Sequence, residues 1–452
     1  MITEKIHIRE IIGSRFDNSY VLYQHKTSNY KYPVAPLYKF LEIKPQYGAG
    51  EAGVPRNDDT SPRYIRITDI DENGFLSNDL GVTANKVEEK YILNNNDILI
   101  ARSGNTVGKS YIHKTNIIQD KCFYAGYLIR FVVDTEKILP DYIYILTKLS
   151  PYADWVKVTQ RVTGQPNINA EEYSNLPIPV PPTDVQQDIL EIYINAIERR
   201  RKKLLDAQHL LNGIDDYLIN TLKINKYQSE ARTSYVHLSS FIGDRFDAHF
   251  QIKIENAIKG INTIPNKPLG EIAEFSSENW NQKTIFRDVF PYIEISAIDT
   301  LTGEITDIEN VPVNKAPSRA KKIVRKNDIL ISTTRPNRGA ISIYANDEIA
   351  IASTGFSIIR NVDSSVSREY LLFILRSSLS LEQMEIRSSG GNYPSIIESE
   401  LKKIIIPIPS LDIQNEIVNA VKNKKNRAKQ LQKDGDALLE NAKNEIEKLI
   451  IG

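Results

Sequence analysis

The chain has 452 residues, of which 41% are hydrophobic and 25% charged, and its 57 Lys plus Arg balance 57 Asp plus Glu. That length exceeds what one hydrophobic core organises, so at least two globular domains are expected and disorder is excluded as the default. Neutral charge excludes a protein that coats nucleic acid through bulk cations, and a single cysteine, Cys122, excludes an internal disulfide or a cysteine-based zinc site.

In chain order, MITEKIHIRE lacks the apolar stretch of a signal peptide. No later run approaches the ~18 apolar residues of a membrane span, so a cytoplasmic protein with no membrane partner is expected. IGSRFDN at 12–18 returns as IGDRFDA at 242–248, which puts Asp17 and Asp247 230 positions apart. Strand-like runs follow at Arg63–Asp69 and Pro291–Ile295, with glycine turns at Asn73-Gly74 and Thr302-Gly303. NDILIARSGNTVGKS (96–110) is echoed by NDILISTTRPNRGAIS (327–342). Helical stretches are predicted near Asp141–Lys157 and Arg368–Met384. Each copy then reaches a proline-rich segment, LPIPVPP (176–182) or IPIPS (406–410), which forbids a helix and favours an extended path. Tyr64-Ile65 with Tyr292-Ile293, Tyr127 with Phe356, Pro166 with Pro394, and Gln186 with Gln414 recur in the same order. The chain is two copies of one unit.

Past the prolines the period changes to a long helix, with Asp184 and Asp412 placed as N-caps. Leu190, Ile197, Leu204, Leu211 and Leu218 are spaced by seven, flanked by Tyr193, Ala207 and Ile214. In the second copy Ile417, Leu431 and Leu438 alternate with Val421, Ala428, Ala442 and Leu449, and small residues at Ala428, Gly435 and Ala442 permit close approach. The prediction is an α+β protein in which two duplicated mixed α/β domains are separated by long helices that pair as an antiparallel coiled coil. The expected boundaries are 1–182 for the first domain, 183–225 for a central spacer helix, 226–410 for the second domain and 411–452 for a C-terminal spacer helix.

RFD, NDILIARSGNTVGKS, TGQPNI, LPIPVPP, DVQQDI and a heptad helix, ordered and duplicated over essentially the whole chain, resemble the DNA specificity subunits of type I restriction-modification systems. The resemblance implies two target recognition domains, each reading half of a bipartite double-stranded DNA site. It also implies helices that fix the spacer and dock two modification subunits and the restriction subunits. S-adenosylmethionine, ATP and Mg would belong to those partners, and this chain would hold no cofactor and catalyse nothing. The residues agree. There is no Asn-Pro-Pro-aromatic segment, no glycine-rich cofactor turn, no metal-ligand spacing among the six histidines and no nuclease-like acid cluster. GNTVGKS resembles a phosphate-binding P-loop, but three residues separate its glycines where four are needed. The second copy also has Arg335 in place of Gly104 and Ala340 in place of Lys109. Two other readings are a scaffold that pairs partner proteins without DNA, and a stand-alone type II-like enzyme with duplicated domains.

DNA readout is expected where the copies diverge, because two half-sites need different side chains on one scaffold. The first candidate is the loop after NDILI: Ser103, Asn105, Thr106 and Lys109 in one copy, and Thr333, Thr334, Arg335, Asn337 and Arg338 in the other. These residue types contact base edges and phosphates, and the alternative is a solvated hairpin tip. The second is the polar loop before the prolines: Arg161, Thr163, Gln165 and Asn167, matched by Arg387, Ser388, Asn392 and Tyr393. The third is Arg56, Arg63 and Arg66, with Trp280, Asn281, Gln282 and Lys283, for which ordinary surface polarity is the competing reading. ERRRKK (198–203) and KNKKNRAK (422–429) are expected to be solvated flanks of the coiled coil, the alternative being contact with phosphate or an acidic face of a partner. The repeated Arg-Phe-Asp is expected to form a structural ion pair and aromatic anchor, or a shared docking surface.

Overall fold

The computed structural model describes residues 23, 29–58, 60–77, 79–160, 165–225, 245, 247–282 and 284–451. The chain divides into two compact units. The first comprises residues 1–202 with 433–452, and the second comprises residues 203–432.

In the first unit, Ile98–Ala101 is the centre of an antiparallel sheet, with Leu128–Phe131 and then Gln46–Tyr47 on one side and Ser110–Ile112 on the other. The strand is apolar at every position because both faces are covered. Ile98 and Ile100 enter a core with the helices Pro140–Leu146 and Ser150–Thr159. Leu99 and Ala101 enter another with Cys122, Tyr124 and Leu128. Arg63–Ile65 pairs parallel with Cys122–Tyr124.

The second unit has the same order: Ala273–Phe275, Phe356–Val362, Ile329–Ser332 and Ile341–Ile343. Its parallel pair, Val289–Ile293 with Ala350–Ser353, is extended by Glu309–Pro312 and Ala320–Val324. The proline-rich segments are strands in both units, with Pro177–Pro179 on Val34–Pro36 and Ile405–Pro407 on Asn266–Pro268.

The repeated residues are scaffolding. Asn96 and Asn327 take positive φ, 71° and 70°, at the turn into the central strand. The adjacent Asp97 and Asp328 accept from the backbone N–H of Asn94 and Arg325 at 2.8 Å. Tyr142 and Tyr370 each donate to a proline-strand carbonyl, of Pro179 and Pro407, at 2.9 Å. Gln186 accepts from Leu139 N–H at 3.0 Å and donates to the Pro181 carbonyl at 2.9 Å; Gln414 accepts from Ser367 N–H at 2.8 Å and donates to the Pro409 carbonyl at 2.9 Å.

The long helices are Thr183–Thr221 and Leu411–Ile450. In the first unit Ile189, Tyr193 and Ala196 pack with Leu439, Ala442 and Ile446, and Arg200 bonds Asp436 at 3.0 Å. In the second, Ala207 and Leu211 pack with Ala428 and Leu431, while Leu218 and Leu222 meet Ile417 and Val421. Low numbers on one helix meet high numbers on the other, so the pairing is antiparallel.

Several expectations need correction. The seam is one position earlier than the leucine register in part of the central helix: Ile189 and Ala196 are buried, whereas Leu190 and Ile197 are only partly so. On the other helix the shift is one position later: Leu439 and Ile450 are buried, whereas Leu438 and Leu449 are only partly so. Asp184 and Asp412 lie in the first turns rather than at the caps, where a carboxylate still complements the helix dipole. Each predicted mid-domain helix is two helices, Pro140–Leu146 with Ser150–Thr159, and Arg368–Arg376 with Ser378–Arg387. The second helix of each pair is tied to a long helix: Ser150 N–H donates to Glu447 at 2.6 Å, and Ser378 N–H to Asp215 at 2.8 Å. KNKKNRAK is not simply solvated, since Lys422 pairs with Glu369 at 2.7 Å and Lys429 with Glu304 at 3.5 Å. Of the two Arg-Phe-Asp segments, residues 15–17 and Phe246 lie outside the described residues. Asp247 N-caps the helix Ala248–Lys259 by accepting from Phe250 N–H at 2.7 Å, and Arg245 lies 5.3 Å from the Phe250 ring.

Candidate nucleic-acid interface

Two loops about sixty residues apart are joined edge to edge in each unit. In the first, the chain leaves Ile98–Ala101, makes a tight turn at Gly104–Thr106 and returns as Ser110–Ile112. The segment before the prolines runs beside it. Ser103 pairs with Asn167, Gly104 N–H donates to the Pro166 carbonyl at 2.9 Å, and Ile168 N–H donates to the Arg102 carbonyl at 2.9 Å. In the second unit Thr334 pairs with Ser395, Arg335 N–H donates to the Pro394 carbonyl at 2.7 Å, and Ile396 N–H donates to the Thr333 carbonyl at 2.9 Å. The first and second candidate regions are thus one surface, built twice on the same backbone pattern.

The side chains on that pattern differ. Gly104 has φ 75° and its counterpart Arg335 has φ 47°, so one copy holds a non-glycine residue in a left-handed conformation that costs roughly 1–2 kcal/mol. The Arg335 guanidinium donates to the Asn392 carbonyl at 2.9 Å and lies 4.3 Å from the ring of Tyr393, which is 71% exposed. Asn337 and Arg338 are exposed, and their side chains have no hydrogen-bond partner among the described residues. Thr333 is committed to the Gly355 carbonyl at 3.0 Å, and Thr334 is half-buried.

In the first unit Asn105 and Gln165 are exposed, Ser103 and Thr106 are half-buried, and the Thr106 hydroxyl donates to the Ser103 carbonyl at 3.3 Å. Asn167 keeps a buried side-chain oxygen with no partner among the described residues. Lys109 bonds the exposed Glu72 at 3.0 Å. Arg161 and Thr163 lie outside the described residues.

Several other candidates are tied up within the fold. Arg387 is buried, bonded to Glu400 at 3.0 Å and set 5.5 Å from the Phe250 ring, so it holds helix to helix and does not face out. Arg56 is buried against Asp120 at 2.7 Å and the Leu80 carbonyl at 3.1 Å. Arg63 reaches Asp79 at 2.9 Å, and Arg66 chelates Asp69 at 3.1 and 2.8 Å. Trp280 is buried with Phe286 and Phe290, and its indole donates to the Thr284 carbonyl at 2.9 Å; Asn281 and Gln282 are exposed. Lys283 lies outside the described residues.

Arg102 and Tyr47 were not among the expected readers, and Tyr127, matched by sequence with Phe356, has Gly355 as its structural counterpart. Arg102 lies 4.9 Å from the Tyr47 ring, and its N–H donates to the carbonyl of Tyr127, which is 68% exposed. Each joined surface therefore carries an arginine over a tyrosine, Arg102 on Tyr47 and Arg335 on Tyr393. Arg102 adjoins the NDILI motif, which was the available signal. Its aromatic partner is 55 residues upstream and could not be seen without the fold.

A duplicated α+β scaffold carries different side chains on a surface that both units build. Residues 57–207 and 263–447, together well over half the chain, match the type I restriction modification DNA specificity domain, and the chain belongs to that family. It is 22% identical over 401 residues to the type I restriction enzyme MjaVIII specificity subunit of Methanocaldococcus jannaschii, covering 86% of this chain and 84% of that one. It is 28% identical over 156 residues to the HindI specificity subunit of Haemophilus influenzae, covering 34% of this chain and 33% of that one. A solved structure described as "Structural basis underlying complex assembly and conformational transition of the type I R-M system" superposes with TM-score 0.50 at 15% identity over 93% of this chain and 97% of that one. That likeness concerns the fold. No helix of the described residues is long and apolar enough to cross a membrane.

Proposed function

We propose that this chain is the non-catalytic DNA-reading subunit of a type I restriction-modification enzyme, each unit reading one half of a bipartite double-stranded site. The helices Thr183–Thr221 and Leu411–Ile450 fix the spacer and dock two modification subunits, and restriction subunits join that core. S-adenosylmethionine, ATP and Mg act in those partners, and the complex works in the cytoplasm. The domains follow the boundaries 1–182, 183–225, 226–410 and 411–452.

The observation that carries the reading is the repeated pairing of the two loops, at Ser103–Asn167 and Thr334–Ser395, under side chains that differ. A scaffold for protein partners has no need to vary those positions while keeping their backbone. Asn105 and Gln165 in one unit, and Arg335 and Asn337 in the other, are the amide and guanidinium groups that pair with adenine and guanine edges, and the exposed Arg338 grips a phosphate. Family membership supports recognition of DNA.

The test is selection from a pool of randomised duplexes by the full chain, with sequencing of what is retained. Two short fixed blocks separated by a constant unspecified spacer are expected. Retention of the pool without enrichment would reject the reading.

A further inference from the structure

Beneath the first recognition loop lies a cavity of about 310 Å³ whose lining carries Lys109, Lys148 and Lys443 against a single carboxylate, Glu72. The three lysines come from separate parts of the first unit: the strand leaving the loop, the link between the two mid-domain helices, and the C-terminal long helix. Lys109 and Lys443 also meet carboxylates at the rim, Glu72 at 3.0 Å and Glu440 at 2.7 Å. Lys148 has none. Its ammonium donates to the Ser110 carbonyl at 2.9 Å and lies 4.6 Å from the Tyr144 ring. An ammonium has three N–H donors, and among the described residues only one of them is spent on an oxygen.

The second unit handles the same position differently. Tyr142 and Tyr370 make the same bond to the proline strand, which places Arg376 where the first unit has Lys148. Arg376 spends its guanidinium on four carbonyls, of Gly339 at 2.8 Å, Ile341 at 3.1 Å, Thr300 at 2.9 Å and Leu301 at 3.0 Å. Ala340 stands where Lys109 would be. One copy uses its buried cation as a brace, and the other leaves it facing a cavity.

We propose that this cavity, lined by Lys109, Lys148, Lys443, Asn105 and Thr106, is a site for a phosphate group. A P-loop is not required: GNTVGKS contributes Asn105 to Ser110 to the wall, while the charge comes from three elements. Phosphate is the class of ligand that suits clustered ammonium and amide donors on a concave surface. Burial pushes Lys148 down to about 7, against the pull of Asp71 and Glu72 and with the push of Lys109 and Lys443, and a bound anion relieves that strain. The phosphate belongs either to a DNA strand, in which case the inference rests on the DNA-reading function, or to a free phosphoryl compound.

The experiment uses the full chain in phosphate-free buffer, with Lys109→Met, Lys148→Met and Lys443→Met variants and Lys148→Arg as a charge-keeping control. Calorimetry with inorganic pyrophosphate reads the free source. The slope of log K against log salt on a random duplex reads the strand source. One saturable pyrophosphate site, weakened at least tenfold in each Met variant, establishes a free phosphoryl ligand. No pyrophosphate site, with the duplex slope reduced by about 0.9 per variant, establishes a strand phosphate. No saturable pyrophosphate binding and unchanged slopes overturn the proposal. If Lys148→Met fails to fold by circular dichroism, Lys443→Met on the long helix decides the same question. Loss of base preference in the unmodified chain would reject the DNA reading and leave the pyrophosphate arm standing.

Discussion

Arg335 holds a left-handed backbone and lays its guanidinium 4.3 Å from the ring of Tyr393, joining the two paired loops of the second unit. Strain is kept at functional positions when the surrounding structure enforces it, and here the first unit does without it by using Gly104. Arg335→Gly should therefore leave folding stability unchanged or raise it by up to about 1 kcal/mol, as measured by urea denaturation. The same variant should weaken specific duplex binding by about 1–3 kcal/mol, the worth of a bidentate base contact. If stability and binding fall together, Arg335 serves the fold instead.

The glutamines repeated in both copies should behave in the opposite way. Gln186→Ala and Gln414→Ala each strip the partner from a backbone N–H, of Leu139 or Ser367. A buried donor left unpaired costs about 1–3 kcal/mol. Denaturation midpoints should drop accordingly, while the base preference of the remaining folded protein stays the same.

His113 gives the first unit a pH dependence. Burial pushes its imidazole down to about 4 from an ordinary 6.5, with its Nδ1 3.0 Å from the Tyr111 hydroxyl. Between those values the unfolded chain binds the proton and the folded one does not, so stability rises with pH across this window. The contribution is fully present above about pH 6.5 and is lost as pH falls towards 4. At 1.4 kcal/mol per pH unit this amounts to roughly 3 kcal/mol. Comparing pH–stability curves of the native chain and His113→Leu should show the native curve falling more steeply over that range.

Exposed and buried arginines near the second loop should separate cleanly. Arg338→Ala should lower affinity for all duplexes and reduce the salt slope by about 0.9 if it grips a phosphate. Arg387→Ala should instead destabilise the second unit by about 1–3 kcal/mol, because it removes the buried one of the two cations on Glu400 and leaves Lys403 at 2.7 Å.

The duplication was legible because scaffold residues repeat in kind: Asn96-Asp97 with Asn327-Asp328 at one turn, and Gln186 with Gln414 at the helix start. The strand at Ile98–Ala101 was legible for the same reason, since burial on both faces leaves an unbroken apolar run. The heptad register was partly misread because Leu190 and Ile197 outweigh Ile189 and Ala196 in a periodicity reading, although the small alanine is what close helix packing selects. Arg387 and Arg56 were misread because an arginine's role depends on whether an acid, Glu400 or Asp120, lies across the fold, and that separation is invisible in one chain. Arg102 was missed for the converse reason, since Tyr47 meets it only through tertiary structure.

The most direct test of the account is methylation mapping. The chain is combined with the modification subunits of its system, and N6-methyladenine is located in DNA exposed to the complex, with the native chain and with Arg335→Ala. The account predicts one interrupted motif that is absent when the chain is omitted, and an Arg335→Ala motif relaxed in one half only. No motif, or a change in both halves together, would contradict it.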